Sequence, residues 1–231
     1  SFNLLAINFP EKASKVEEFI PKGWKSIIIK KGDLNKDKID DVVLVIEKND
    51  PKNFKKIEDS SSSNPVNFNP RIILVLFKDK NSKYTLVAKN DKNFIVSPGY
   101  ASEEGLESLD SPDYDDNLSK AVTIKNNTLR IFTLADYIKA ATSTTYIFRY
   151  QNNRFELIGY ESNAYMRNSG EEEKRSINFS TNKVKSTTGG NMFEEKENKP
   201  KDEWTNVEFE KKYILDEMTE STLDEILDIV Y

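Results

Sequence analysis

The sequence is organised around the stretch Gly32-Asp33-Leu34-Asn35-Lys36-Asp37-Lys38-Ile39-Asp40-Asp41, which runs directly into the apolar segment Val42-Val43-Leu44-Val45-Ile46. Calcium takes about 6–8 oxygen ligands, and short loops supply them from alternate positions, with a backbone carbonyl at the seventh. Counted from the first aspartate, the expected ligands are Asp33, Asn35 and Asp37 at positions 1, 3 and 5, the carbonyl of Ile39 at position 7, and Asp41 at position 9. The stretch therefore predicts a calcium loop that leads into a buried strand.

The same stretch has a simpler interpretation as an Asp- and Asn-rich turn, because these residues favour turns by hydrogen bonding to their own backbone. An EF-hand is excluded, because its bidentate Glu would stand at position 12, where this chain has Leu44. Four oxygen-bearing side chains at odd positions before an apolar strand favour the metal loop over the plain turn.

The loop resembles the FG-GAP repeat of integrin α-chains, whose pattern D-x-N-x-D-G-x-x-D also precedes an apolar strand. Lys38 stands where that pattern has Gly, and a non-glycine residue in the left-handed conformation costs about 1–2 kcal/mol. Further positive charge next to the loop comes from Lys30, Lys31 and Lys36. These departures from the pattern predict weak calcium binding.

Length and composition limit the possible functions. The chain has 231 residues, enough for one large domain or two small ones, and a single β-rich domain is expected. It contains no Cys and no His, which excludes disulfides, thiolate nucleophiles, His-based triads and His-based zinc sites. The net charge of −5 argues against nucleic-acid binding, and no apolar run reaches the length of a membrane span.

The remaining pattern predicts a mainly β protein built from antiparallel sheets, as a sandwich or a partial propeller-like meander, with short peripheral helices. Apolar or alternating segments predict strands at 24–30, 42–47, 71–78, 84–88, 121–124, 128–134, 144–150, 155–160, 176–179, 182–188 and 207–215. The calcium loop lies at the tip of the first hairpin, so metal binding would fix the register of that hairpin. Segment 71–78 contains a continuous apolar run at 72–77, which predicts a central strand covered on both faces.

Helical segments are expected at 11–19, at 135–141 as a single turn, and at 221–231 as a docking helix with its apolar residues at i, i+3, i+4 and i+7. Flexible polar loops are expected near 49–69, 102–117 and 191–204.

Aromatic residues alternate along 144–150, with Tyr146, Phe148 and Tyr150 on one face. The paired segment 155–160 is expected to carry Phe155, Leu157 and Gly159 on one face. Its other face would then carry Glu156, Ile158 and Tyr160. Exposed aromatic faces can stack on sugar rings, but aromatic residues in strands more commonly pack in the core. Core packing is therefore the preferred interpretation.

The loop 102–117 ends in a second group of acidic residues that includes Asp110, Asp113, Asp115 and Asp116. These carboxylates could form another cation site or the acid pair of a glycoside hydrolase, which needs two carboxyl groups across a sugar. Clustered acids beside Pro and Ser are more typical of a solvated loop, which is the preferred interpretation.

The order of the segments resembles a group of uncharacterised bacterial secreted proteins and lipoproteins. The shared pattern includes F-I-P-x-G-W at 19–24, G-D-L-N-x-D at 32–37, F-R-Y at 148–150 and L-I-G at 157–159. The resemblance implies export but no particular activity. A seven-bladed propeller is not expected, because only one such loop and too few strands are present.

Other features agree with export without deciding it. The chain begins at Ser1, as a chain trimmed of its export signal would, although a cytoplasmic fragment could begin in the same way. Weak calcium loops are typical of extracellular modules, because only there is the free ion abundant enough to fill them.

The sequence thus predicts an exported, calcium-stabilised β domain with a binding or envelope-associated role and no catalysis, located in the periplasm, at the outer membrane or outside the cell. The expected partner is an envelope protein or glycan. The alternatives are a carboxylate-dependent glycan hydrolase and an adhesive or structural module.

Overall fold

The computed structural model describes residues 7–57, 64–110, 118–193 and 199–230 of the chain. The strands are β1 (Lys12–Ala13), β2 (Trp24–Gly32), β3 (Asp41–Lys48), β4 (Phe54–Lys55), β5 (Val66–Asn67), β6 (Arg71–Lys78), β7 (Tyr84–Asn90), β8 (Val122–Lys125), β9 (Thr128–Asp136), β10 (Ala140–Gln151), β11 (Arg154–Met166), β12 (Glu171–Asn178), β13 (Lys183–Asn191) and β14 (Lys201–Asn206). The α-helices are α1 (Pro98–Glu104) and α2 (Thr222–Val230). Single 3-10 turns lie at Val16–Phe19, Pro51–Asn53, Leu118–Lys120 and Leu215–Glu217.

The first sheet has five antiparallel strands in the order β1-β7-β6-β3-β2. Its centre consists of β3 and β6, in which the apolar runs 42–46 and 72–76 are at most 1% exposed. One face of these strands packs against the other sheet, and the opposite face packs against Phe19 and its neighbours near the N-terminus. Both faces are covered, which explains the continuous apolar sequence.

The second sheet is a meander of seven antiparallel strands in the order β14-β13-β12-β11-β10-β9-β8. Two of its hairpins turn at Asn126-Asn127 and Asn152-Asn153, where all four residues have positive φ. Asparagine tolerates this conformation better than other non-glycine residues, and two such residues in succession match the tight turns that suit twisted strands.

The two sheets share one hydrophobic core, to which α2 also contributes. Val43, Val45, Ile73 and Val75 of the first sheet face a layer from the second sheet that includes Tyr146, Phe148, Phe155 and Leu157. Ile226 of α2 is fully buried, and its partners in the predicted apolar stripe, Leu223, Leu227 and Val230, pack against the same core. The mainly β, antiparallel class predicted from the pattern is therefore confirmed.

Two predicted helical segments are wrong. In 11–19, only Val16–Phe19 forms a 3-10 turn, while Lys12–Ala13 pairs with Thr85 and Tyr84 of β7. Val16 and Phe19 still face the core, because a spacing of three residues also matches the three-residue period of a 3-10 turn, and Ala13 of β1 packs against the same cluster. Segment 135–141 is the hairpin between β9 and β10, and the pairing of Ala141 with Asp136 leaves no helical turn.

The predicted faces of β11 are wrong beyond Leu157. The register with β10 shifts between Ile147 and Phe148, so Ile147 pairs with Gly159 while Phe148 pairs with Leu157. The extra residue reverses the alternation after the bulge, and Tyr160 enters the core at 3% exposure.

The predicted polar loops are more structured than expected. The ends of 49–69 pair as β4 and β5, α1 begins before 102–117 and ends inside it, and β14 begins inside 191–204 and ends just after it. The predicted strand 207–215 forms no ladder of its own and makes only an isolated bridge between Ile214 and Glu156. Among the described helices, none has the length and apolar character needed to cross a membrane.

Candidate functional site

The predicted calcium loop forms the tip of the β2–β3 hairpin. Gly32 pairs with Asp41, so the eight residues between them form the connection. Leu34 turns inward and is 1% exposed, whereas Asp37 lies on the surface. The hairpin and the position of the loop are therefore as the sequence predicts.

Side chains inside the loop bind its own backbone. The two oxygens of the Asp33 carboxylate accept hydrogen bonds from the backbone N–H groups of Lys36 at 2.6 Å and Lys38 at 3.1 Å. Asn35 Oδ1 accepts from the N–H of Asp37 at 3.0 Å, and Asp37 Oδ1 accepts from the N–H of Ile39 at 2.8 Å. These bonds are the short-range turns that Asp and Asn favour.

Two lysines adopt the left-handed conformation, Lys36 at φ 70° and Lys38 at φ 69°. Lys38 occupies the position where the FG-GAP pattern has Gly, and its φ shows why glycine is usual there. The loop therefore keeps the backbone shape of that pattern at the expense of local strain.

Asp41 is the most buried of the predicted ligands, with a side chain that is 0% exposed. Its Oδ2 accepts from the backbone N–H of Leu34 at 2.8 Å, and its Oδ1 accepts from the N–H of Lys78 at 3.1 Å. Burial raises the pKa of Asp41 to about 6, against the effect of these two hydrogen bonds, and the charges of Asp37 and Asp33 raise it further. The hairpin tip thus holds a buried carboxylate, with two other carboxylates close enough to repel it.

The loop is also attached to the second sheet. The side-chain N–H of Asn127, in the β8–β9 turn, donates to the carbonyl oxygen of Asp33 at 2.8 Å. Gly32 lies so close to Ile124 that a Cβ built on the glycine would be 2.8 Å from Ile124 Cγ2. Nothing in the sequence pattern indicates these contacts, because they join segments about ninety residues apart in the chain.

The loop offers oxygen donors of the kind that calcium prefers, but several of them already accept hydrogen bonds from loop N–H groups. Within the described ranges, no group of three or more Asp or Glu side chains is placed to hold a metal ion. The structure brings Asp33, Asn35, Asp37, Ile39 and Asp41 into one turn, in which the carboxylates of Asp33, Asp37 and Asp41 do not form a group placed to hold a metal ion.

The second acidic group lies mostly outside the described residues, which exclude Asp113, Asp115 and Asp116. Asp110 is described, and its carboxylate accepts from the guanidinium of buried Arg71 at 2.6 and 3.0 Å. Arg71 Nε also donates to Glu47 at 2.9 Å, and Glu47 is itself buried. Asp110 therefore belongs to a buried ion network that joins β3 and β6 to the segment after α1.

The alternating aromatics of β10 and β11 pack in the core, as the preferred interpretation predicts. Tyr146 is 4% exposed, and Phe148 and Phe155 are completely buried. The sugar-stacking alternative is therefore wrong for these three side chains.

A cavity of about 400 Å³ lies on the outer face of the second sheet. Ser143 is paired with Leu134 on one side and Asn163 on the other, and these side chains form its floor. Phe132, which is 37% exposed, and Tyr165 add aromatic surface to it. The pattern of the sequence does not reveal this cavity, because the outward residues of a strand carry no signal of which neighbours they will meet.

A smaller cavity lies at the other face of the same strands and contains Glu107. The sequence pattern predicts a solvated acidic loop at this residue and does not single it out. Its carboxylate instead accepts from the hydroxyl groups of Thr133, Thr142 and Thr144.

Comparison of the chain with known protein families, with curated proteins and with solved structures gives no match.

Proposed function

We propose that this chain is an exported β domain that calcium stabilises, with a binding or envelope-associated role and no catalysis. In this proposal Asp33, Asn35, Asp37, the carbonyl of Ile39 and Asp41 supply the oxygens that hold the ion. The observation that carries it is the fully buried carboxylate of Asp41, which has backbone N–H groups as its recorded partners and two further carboxylates nearby. A buried charge of this kind is costly unless a cation compensates it.

Ion binding would act on the fold through contacts that are already present. The Asp41 carboxylate joins the hairpin tip to the end of β6, and the carbonyl oxygen of Asp33 accepts a hydrogen bond from the Asn127 side chain of the second sheet. Calcium at this point would therefore link three segments that are distant in sequence. To bind the ion, the carboxylates of Asp33 and Asp37 must give up hydrogen bonds from loop N–H groups, which weakens binding. We therefore expect a dissociation constant in the range of extracellular modules, about 10⁻⁴–10⁻³ M.

The test is a series of thermal melts and a calorimetric titration with calcium, with magnesium as the comparison ion. We expect calcium to raise the Tm of the chain, and Asp37→Ala to abolish this shift. Asp79→Ala is the matched control, because the carboxylate of Asp79, like that of Asp37, accepts from backbone N–H groups of its own turn, here those of Asn81 and Lys83 between β6 and β7. Equal calcium shifts in the chain and in Asp37→Ala would refute the metal site, as would no shift in either.

The binding role is supported by the 400 Å³ cavity on the second sheet, where aromatic side chains lie next to Ser143 and Asn163. Aromatic surface beside hydroxyl and amide groups suits a glycan or an extended peptide. The expected result is retention of an envelope polysaccharide or protein by the immobilised chain and loss of this retention in Phe132→Ala. Phe54→Ala is the control, since Phe54 is 46% exposed but lies on the separate β4–β5 pair.

A further inference from the structure

The smaller cavity has a volume of about 190 Å³ and lies between β9, β10 and the start of α2. The aromatic and acidic residues that line it are Phe94, Glu107, Tyr137, Tyr146, Glu220 and Asp224. Tyr137, which is 40% exposed, and the exposed Asp224 lie at its rim, so the cavity opens to solvent. It is smaller than the roughly 300–1,000 Å³ typical of sites for drug-sized ligands, which limits an occupant to a small molecule.

The Glu107 carboxylate is held in place by hydroxyl groups. Thr142 and Thr144 donate to its Oε1 at 2.9 and 3.0 Å, and Thr133 donates to its Oε2 at 2.6 Å. Three neutral donors fix the position of the carboxylate without cancelling its charge. The described residues that line the cavity include no Lys or Arg.

The negative charge of Glu107 affects the pKa values of other side chains that line the cavity. Burial raises the pKa of Glu107, against the effect of its three hydrogen bonds. Burial also raises the pKa of Tyr146, and the charges of Glu107 and Asp224 raise it further. The pKa of Tyr137 is also raised, first by burial and then by the charge of Glu107. The cavity therefore combines aromatic rings with a field that disfavours further negative charge.

Helix electrostatics explain only part of this arrangement. Asp224 lies in the first turn of α2, where a carboxylate is stabilised by the helix dipole. Glu107 follows α1 and belongs to no helix, so the dipole gives no reason for a carboxylate there. A glutamine could accept hydroxyl donors without the cost of burying a charge.

The aromatic walls are rigid. The Tyr137 hydroxyl donates to the carbonyl oxygen of Gly105 at 2.8 Å, which holds its ring at the rim. Deeper in the cavity, the rings of Phe94 and Tyr146 meet edge to face with centroids 5.1 Å apart. Aromatic rings lining a cavity together with a carboxylate suit an ammonium group, because the ring quadrupole and the negative charge attract the same cation.

We propose that this cavity binds a small organic cation, a primary or methylated ammonium compound, with Glu107 as its counter-ion. The aromatic rings contact the alkyl and ammonium surface, and the carboxylate lies at the depth that the ammonium reaches. The site is separate from the predicted calcium loop and does not depend on it.

The probe is choline, measured by isothermal titration calorimetry in the presence of a calcium chelator. The comparison ligand is the neutral isostere of choline, in which carbon replaces the quaternary nitrogen. We expect choline to bind with a dissociation constant below about 10 mM, and the isostere to bind at least about tenfold more weakly. Repeating the titration on Asp37→Ala should give the same result, which separates this site from the calcium loop.

Two variants locate the site. Glu107→Gln keeps the size and an acceptor for the threonines, and it should weaken choline binding at least about tenfold. Tyr137→Leu removes a ring at the exposed rim and should weaken it about threefold. Glu104→Gln is the matched control, since Glu104 is an exposed acid at the end of α1 that does not line the cavity, and it should leave binding unchanged.

Several outcomes would overturn the proposal. The first is a dissociation constant for choline above about 10 mM. The others are equal affinities for choline and its neutral isostere, and unchanged choline binding in both Glu107→Gln and Tyr137→Leu. Displacement of choline by equimolar potassium or calcium would also contradict it, because the cavity would then be a site for inorganic ions.

Discussion

The carboxylate of Asp41 accepts a hydrogen bond from the backbone N–H of Lys78 at 3.1 Å, across 37 positions of the chain. The same carboxylate accepts from Leu34 within its own hairpin at 2.8 Å. One fully buried side chain therefore joins the tip of β2–β3 to the end of β6.

Asp41→Ala should destabilise the chain by about 2–4 kcal/mol, because a buried N–H group and a partly buried one lose their acceptor and each unsatisfied group costs about 1–3 kcal/mol. Urea unfolding in the presence of a chelator measures this loss without any contribution from calcium. Asp40→Ala is the control, since Asp40 is the adjacent, exposed aspartate and should change stability by less than about 0.5 kcal/mol. Similar losses in both variants would mean that the two hydrogen bonds are not important for stability.

Lys38→Gly should stabilise the chain by up to about 1 kcal/mol, because glycine adopts the φ of 69° seen at Lys38 without the steric cost of a Cβ. It should also lower the calcium concentration needed for the thermal shift, since it removes a positive charge from the loop. Lys38→Ala separates these effects, because it removes the charge and keeps the strain. A Lys38→Gly variant less stable than Lys38→Ala in chelator would contradict the strain argument.

Gly32→Ala should cost about 1–3 kcal/mol, because its Cβ would lie 2.8 Å from Ile124 Cγ2 at the contact between the two sheets. Adding Ile124→Ala should recover part of this loss, since it removes the methyl group that the new Cβ meets. Urea unfolding of the two single variants and the double variant gives the interaction energy, which should exceed about 0.5 kcal/mol. Simple additivity would show that the contact does not limit residue 32.

Glu107→Gln should become more stabilising relative to the unmodified chain as the pH rises. Burial raises the pKa of Glu107 in the folded chain above its ordinary value of 4.5. The contribution of Glu107 to folding stability is therefore fully present below pH 4.5, and it is lost as the pH rises through the raised pKa of the folded chain. Urea unfolding of both proteins between about pH 4 and 7 measures the difference. A difference that is constant with pH, or that favours the unmodified chain at higher pH, would contradict this sign.

Local sequence patterns predict most of the strands, because each depends on residues close together in the chain. The apolar run 72–77 indicates the central strand β6, covered on both faces, and the run 42–46 indicates the buried strand β3. The Asn-Asn pairs at 126–127 and 152–153 are typical of the tight turns found there. The loop 32–41 is found at the tip of its hairpin for the same reason. The assignment of this loop to calcium stays a prediction.

The wrong predictions have local signals that fit more than one structure. Ala13, Val16 and Phe19 have the spacing of a helix face, but β7 offers a free edge that pairs with Lys12–Ala13 instead. The bulge opposite Ile147 moves Tyr160 into the core, and no residue type in that segment announces a register shift.

Local sequence patterns specify the β class, the main hairpins and the oxygen-rich turn, because alternation, apolar runs and turn residues act over a few positions. Three contacts instead depend on the packing of distant segments: the bond from the N–H of Lys78 to Asp41, the bond from Asn127 to the carbonyl of Asp33, and the bonds from three threonines to Glu107. Those contacts join segments between 26 and 94 positions apart. They depend on how the two sheets and α2 pack, which no short stretch of sequence encodes.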